Sequence, residues 1–254
     1  AAGGTGGHMF PAVALASALA GRGHAILFVT DPRGSQVKSD VLGLPKTVMR
    51  HTISARSLGG GPRGMLAGVK ALTTGFFESR GLIREYAPCV AVGFGGYPSV
   101  PPILAAGFAG IPTVIHEQNA VLGRANRRLA RGARAFALSF AETQRLKSAG
   151  QARVTVVGNP VRPEIAALAA RPYSPPSGVI DLLIVGGSQG AQVFSKIVPT
   201  AFASLTPAQR ARFRLAQQCR AEDIDAAREV YASLNMPVEL ETFFDDMPAR
   251  LAAA

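Results

Sequence analysis

The sequence has no tryptophan, and aromatic residues make up only 7% of its 254 positions, so it offers few flat side chains on which nucleobases could stack. Its arginines are not interleaved with aromatics and no recognition module is present, so nucleic acid is not an expected partner. Only two cysteines occur, Cys89 and Cys219. They lie far apart and outside metal-ligand spacing, which excludes a disulfide framework and reads as reduced thiols in a cytosolic protein. H-E-x-x-H is missing and no bound metal is expected; "DID" at 223–225 has the lettering of metal-dependent sugar transferases but falls in a mixed-charge helical stretch. Neither of the two glycine turns that adjoin an apolar strand or a helix start, "GGTGG" at 3–7 and "GGSQG" at 186–190, fits G-x-G-x-x-G or G-x-x-x-x-G-K-[ST], so the dinucleotide and P-loop fingerprints are not met there and no cofactor is expected. The first twenty residues lack the basic stretch and continuous apolar core of a signal peptide. One uncharged run, 87–115, is long enough for a bilayer, but five prolines and five glycines cut it into strand, loop, helix and strand.

Acidic residues are also scarce, 16 against 27 lysines and arginines, and the imbalance is local. Residues 1–158 carry 18 basic and 6 acidic side chains, whereas residues 159–254 carry 9 and 10. A genome-wide taste for arginine does not explain that asymmetry. A basic half beside a neutral half points to an anionic partner for the first, such as a polyphosphate or an anionic membrane surface.

What is present in quantity is a βα rhythm. A helix is predicted from about Pro11 to Ala20, ended by Gly21 and Gly23, and followed by the strand "HAILFVT". "SLGGGPRG" leads into a helix over Met65–Tyr86. Then come "CVAVGF", a helix near 100–109, "PTVIHE", a basic helix near 122–132, "AFALSF", a short helix and "RVTVVGNPV". Short apolar strands alternating with helices indicate an α/β fold with parallel sheets covered on both faces. The pattern restarts after "ARPYSPPSG" with "DLLIVGGSQGAQ", "FRLAQQC", a helix over 221–233 and "VELETFF". Two domains follow, 1–158 and 159–254, the second with only three strands.

Two glycine turns, "GGTGG" at 3–7 and "GGSQG" at 186–190, each adjoin a helix start, where free N–H groups and the helix dipole favour phosphate. Ser188 in the second turn is not a nucleophile elbow. Polar residues gather at the expected strand ends: Thr5 and His8, "GGYPS" at 95–99, "HEQN" at 116–119, "GNPVR" at 158–162, and Ser188 with Gln189. An imidazole in the first glycine loop suits His8 to taking a proton from an attacking hydroxyl. His116 and Glu117 are adjacent and would point to opposite sides of an extended chain, so Glu117 reads as a hydrogen-bonding residue. Arg162 is placed for a phosphate. The 65–86 helix sets Met65, Leu66, Val69, Leu72, Phe76 and Phe77 beside Arg63, Lys70, Arg80 and Arg84, a pattern open to core packing or to an anionic membrane interface.

"GGTGGHMFPAVALA", "GFGGYPSVPP", "GIPTVIHEQNAVLGRANRRLA", "VVGNPVR", "LLIVGGSQGA" and "FFDDM", in that order, resemble the MurG family. The resemblance runs nearly end to end. It implies a GT-B fold, two Rossmann-like domains facing across a cleft: an acceptor- and membrane-binding domain, then a UDP-sugar domain. The implied reaction is an inverting transfer of N-acetylglucosamine from UDP-N-acetylglucosamine to the muramoyl 4-hydroxyl of an undecaprenyl-diphosphate-linked muramoyl pentapeptide, at the cytoplasmic face of the bacterial membrane. It implies substrate contacts at Thr5, Gly6, Gly7, Asn119, Arg162 and Ser188, a backbone contact to the base at Phe244, and His8 as the candidate base. Against the family pattern, the strand before "GGTGGH" and the region after "FFDDM" are missing. The 254 residues by themselves are therefore expected to be poorly soluble and inactive. The competing expectations are another GT-B glycolipid glycosyltransferase and a binding-only fragment.

Overall fold

The computed structural model describes residues 1–36, 43–59, 61–146, 150–172, 174–187 and 192–254. The chain divides into two compact units, Ala1–Arg162 and Pro163–Ala254, so residues 159–162 pack with the first unit rather than opening the second. Every described strand pairing is parallel, as expected of short apolar runs separated by helices.

In the first unit, β1 (Leu27–Thr30) pairs with β2 (Met49–Thr52), while β3 (Ala91–Gly93), β4 (Thr113–Glu117), β5 (Ala135–Leu138) and β6 (Arg153–Val156) form a second sheet in chain order. The β2 strand has no counterpart in the sequence reading: "MRHT" is polar and largely exposed, so it carries no apolar signal. Between β1 and β3 lie Ala1 and Ala2. Ala2 N donates to Val29 O at 3.0 Å, Phe94 N to Ala1 O at 2.9 Å, and the Ala1 amine to Val92 O at 2.7 Å. Below this two-residue bridge sits a cavity of about 550 Å³, lined by Leu15, Leu19, Phe28, Leu82, Ile83 and Val92 among others.

Helix α1 spans Gly6–Ala20 and packs Met9, Ala12, Val13 and Ala16 on Phe28 and Phe94. It begins five residues earlier than the proline rule suggested. Thr5 is the N-cap, its carbonyl accepting from His8 N and Met9 N at 3.1 and 3.0 Å, and Pro11 lies inside the helix. The Gly61–Tyr86 helix covers the other face of β1 through Leu82, which clusters with Val29 and Ile53. A second core (Ile103, Ile115, Leu122, Leu129, Phe136 and Leu138 at its centre) binds β4 and β5 to the Val100–Phe108 and Arg124–Leu129 helices.

The second unit has the strand order β7 (Ile180–Ile184), β8 (Phe213–Gln218), β9 (Val238–Glu241). Its core is Phe202, Leu215, Cys219, Ala227, Tyr231, Met236 and Leu240. Tyr231 is buried and donates its hydroxyl proton to Gln217 Oε1 at 2.6 Å, which satisfies both polar groups at the centre of that core.

Candidate functional site

Register aligns the carboxyl ends of the larger first-unit sheet. Gly93 lies beside Ile115, Glu117 beside Leu138, and Leu138 beside Val156. The segments that leave these ends, 94–99, 118–123 and 157–162, are the polar ones, and the bridge at Ala1–Ala2 brings the 3–8 loop to the same edge.

Thr5, Gly6, Gly7 and His8 make the first turn of α1. No acidic residue occupies that turn and Thr5 makes no side-chain cap bond, so the helix's positive end is not neutralised from within the turn. Arg33 adds charge: its Nη2 lies 3.6 Å from where a Cβ on Gly4 would stand. Asp31, buried, fixes that arginine through Nε at 2.9 Å and also accepts from Gly34 N at 3.1 Å. Sequence reasoning passed over Arg33, which carries no motif.

His8 is half-buried and rests on the backbone of the 94–99 loop. A Cβ on Gly95 would come 3.2 Å from His8 Cε1, and one on Gly96 2.8 Å from Gly3 O and 3.3 Å from His8 Cδ2. Both glycines have positive φ, +83° and +72°, so the loop needs glycine for its conformation as well as for the ring's seat. His8 Nδ1 then meets Gln118 Oε1 at 3.1 Å.

His116 and Glu117 do face opposite ways. His116 packs against Phe94, ring centres 5.2 Å apart, with Nε2 3.1 Å from Gly158 O and Nδ1 3.1 Å from Gln118 Nε2. Desolvation lowers its pKa, outweighing the Gly158 hydrogen bond and the Glu117 charge, which favours the neutral ring. Glu117 is almost fully buried and accepts four hydrogen bonds. Oε1 takes Asn119 N and Nδ2 at 3.0 and 2.9 Å, and Oε2 takes Gly123 N and Asn126 Nδ2, both at 2.8 Å. One carboxylate thus shapes the loop that presents Asn119. Gln118 and Asn126 are further contributors with no role in the sequence reading. The available signal was spacing: residues 116 and 118 share a face of an extended chain.

Arg162 closes the group on the 157–162 side, with its guanidinium 4.8 Å from the Phe10 ring centre, so it meets α1 two residues beyond His8. In the second unit, Phe244 is buried after β9, and Arg250 lies 4.1 Å over its ring. Arg250 also binds Glu239 and Asp246, which fixes the 242–246 segment to β9. Ser188 lies outside the described residues. Among the described residues no group of histidines, cysteines and carboxylates is arranged to hold a metal ion.

The model for the glycosyltransferase family 28 N-terminal domain matches residues 1–138, and that for its C-terminal domain matches residues 181–254. A UDP-N-acetylglucosamine–N-acetylmuramyl-(pentapeptide) pyrophosphoryl-undecaprenol N-acetylglucosamine transferase from Methylobacterium nodulans is 45% identical over 263 residues, spanning all of this chain and 68% of the relative. The chain belongs to glycosyltransferase family 28, among the MurG-type transferases. A transferase of the same name from Rhodospirillum centenum is 48% identical over 254 residues, 99% of this family 28 chain and 66% of the relative. The family 28 chain therefore spans just under two thirds of that relative's length. Acinetobacter baumannii MurG superposes with a TM-score of 0.63 at 28% identity, covering all of this chain and 70% of that one. The fold is GT-B, as the resemblance implied.

Proposed function

We propose that the polypeptide carrying these residues transfers N-acetylglucosamine from UDP-N-acetylglucosamine to the 4-hydroxyl of the muramoyl sugar on undecaprenyl-diphospho-muramoyl pentapeptide, the lipid I to lipid II step of peptidoglycan synthesis. In this reading the acceptor O4–H gives its proton to His8 Nε2. O4 attacks the anomeric carbon from the face opposite the nucleotide, and the C1–O bond to UDP breaks with its electron pair leaving on the diphosphate. The anomeric centre inverts in one displacement, with no cofactor. The first turn of α1, Thr5, Gly6 and Gly7, and Arg33 beside it, suit a diphosphate; Asn119, Arg162, Ser188 and the Phe244 backbone are the further substrate contacts.

One observation carries the reading: an imidazole seated in the anion-favouring first turn of a helix, in a chain 44–49% identical to curated transferases of that name. The acceptor is a lipid, and a surface suited to lipid adjoins. Leu66, Phe77 and Phe108 are 72%, 63% and 79% exposed, with Met65 and Val69 beside them, and Arg63, Lys70, Arg80 and Arg84 are exposed on the same helix. Phe76 ties the Gly61–Tyr86 helix to Phe108 by an edge contact at 5.6 Å. No helix among the described residues is long and apolar enough to cross a membrane. The surface fits peripheral attachment to an anionic leaflet at the cytoplasmic face.

The test is transfer of label from radiolabelled UDP-N-acetylglucosamine to a short-chain lipid-linked muramoyl pentapeptide, comparing wild type with His8→Ala and Arg162→Ala. Both substitutions should depress transfer, His8→Ala by roughly 100-fold or more. If the donor binds but no label reaches this acceptor, the substrate assignment fails and another glycolipid acceptor takes its place.

A further inference from the structure

We propose that Gln118 and His116 are positioning residues for His8, acting as a relay that holds its imidazole in the Nδ1–H form and leaves the Nε2 lone pair free. The inference rests on the proposed transfer reading for its consequence, but its geometry stands apart from it.

Two backbone carbonyls decide the direction of every hydrogen bond in the relay. A carbonyl oxygen only accepts. Gly158 O, 3.1 Å from His116 Nε2, therefore requires a proton on that nitrogen. The ring is buried, which favours its neutral form, so Nδ1 is its acceptor and must face a donor, which Gln118 Nε2 supplies at 3.1 Å. Independently, Phe94 O lies 3.0 Å from the same Gln118 nitrogen. That carbonyl admits the amide NH₂ and repels the amide oxygen. Both anchors give Gln118 one orientation, with both amide protons committed and Oε1 turned to His8.

Oε1 can only accept, so at 3.1 Å it calls for a proton on His8 Nδ1. A neutral His8 so bound has its lone pair on Nε2. When Nε2 receives the acceptor's proton, Nδ1–H still donates to Oε1, now from an imidazolium, and no other group in the relay changes protonation. The amide serves the histidine as a carboxylate serves it in hydrolase triads, by fixing tautomer and orientation, without putting a negative charge beside the ring. The seat on Gly95 and Gly96 limits the ring's tilt, and Phe94 stacked on His116 limits the far end.

The experiment is long-range ¹H–¹⁵N correlation of the histidine rings in ¹⁵N-histidine-labelled protein, at a pH where His8 is neutral. Wild type should show a protonated Nδ1 and a pyridine-like Nε2 at His8, and the reverse pattern at His116. Gln118→Met should release His8 to the Nε2–H form or to a mixture. His116 should keep its Nε2–H in Gln118→Met, because the Gly158 carbonyl still requires that proton, which separates tautomer control at His8 from general damage to the loop. An Nε2–H His8 in wild type, or an unchanged tautomer in Gln118→Met, overturns the proposal. In the transfer assay Gln118→Met should lower kcat by about tenfold or more with a smaller change in acceptor KM. The two readouts separate the claims: an Nδ1–H His8 in a protein that moves no sugar would sink the transfer reading alone. An active protein with an Nε2–H His8 would sink the relay alone.

Discussion

Arg162 stacks on Phe10 with 4.8 Å between guanidinium carbon and ring centre, so the segment after β6 is tied to the helix that carries His8. Phe10→Leu keeps the apolar bulk and removes the ring face that attracts the cation. A stacking contribution of about 1 kcal/mol corresponds to a several-fold rise in KM for the sugar nucleotide, with kcat less affected. An unchanged KM would mean that Arg162 holds its place without the ring.

Glu117 is the buried acceptor for four donors, so Glu117→Ala removes the acceptor of Gly123 N and of Asn119 N and Nδ2, and leaves Asn126 Nδ2 only the His116 carbonyl. Unfolding of the first unit should become easier by on the order of 3 kcal/mol. Glu117→Gln is expected to cost nearly as much, since its amide nitrogen sets donor against donor. Thermal melts of both variants check this; a glutamine variant as stable as wild type would refute it.

Gly95→Ala adds a methyl group 3.2 Å from His8 Cε1 at a backbone φ of +83°. The conformation alone costs on the order of 1–2 kcal/mol, and the ring must tilt away from Gln118. Transfer should fall further than stability does. A parallel melt and assay would show whether the two losses separate.

Phe77→Ser with Phe108→Ser should reduce co-sedimentation with phosphatidylglycerol vesicles severalfold and leave the melting temperature nearly unchanged, because both rings are already mostly exposed. Raised salt should weaken the wild-type interaction through the arginines and lysine of the same helix. Equal binding by the double variant would move the lipid contact elsewhere.

The βα order and the parallel sheets were legible because each rests on local pattern: apolar runs of strand length, with glycine and proline at their ends. His8, Asn119 and Arg162 were legible as candidates because glycine and polar clusters punctuate strand ends. β2 was not, since "MRHT" owes its pairing to β1 and carries no periodicity of its own. Nor was the early start of α1, where the Thr5 carbonyl, a tertiary seat for His8 and the packing of Met9 outweigh a proline placed late. Gln118 escaped notice because its role depends on the Phe94 carbonyl, which reaches it from a distant part of the chain, and on His116, whose ring the equally distant Gly158 carbonyl orients.

One core under α1 joins the two sheets of the first unit, with Phe28, Leu44 and Val48 from the side of β1 and β2 and Phe94 and Val92 from the side of β3. The helix that carries His8 is therefore seated on both sheets at once. The bond from His8 to Gln118 runs from α1 to the segment after β4, so it doubles as a gauge: a shift of α1 against the larger sheet should register at the His8 imidazole.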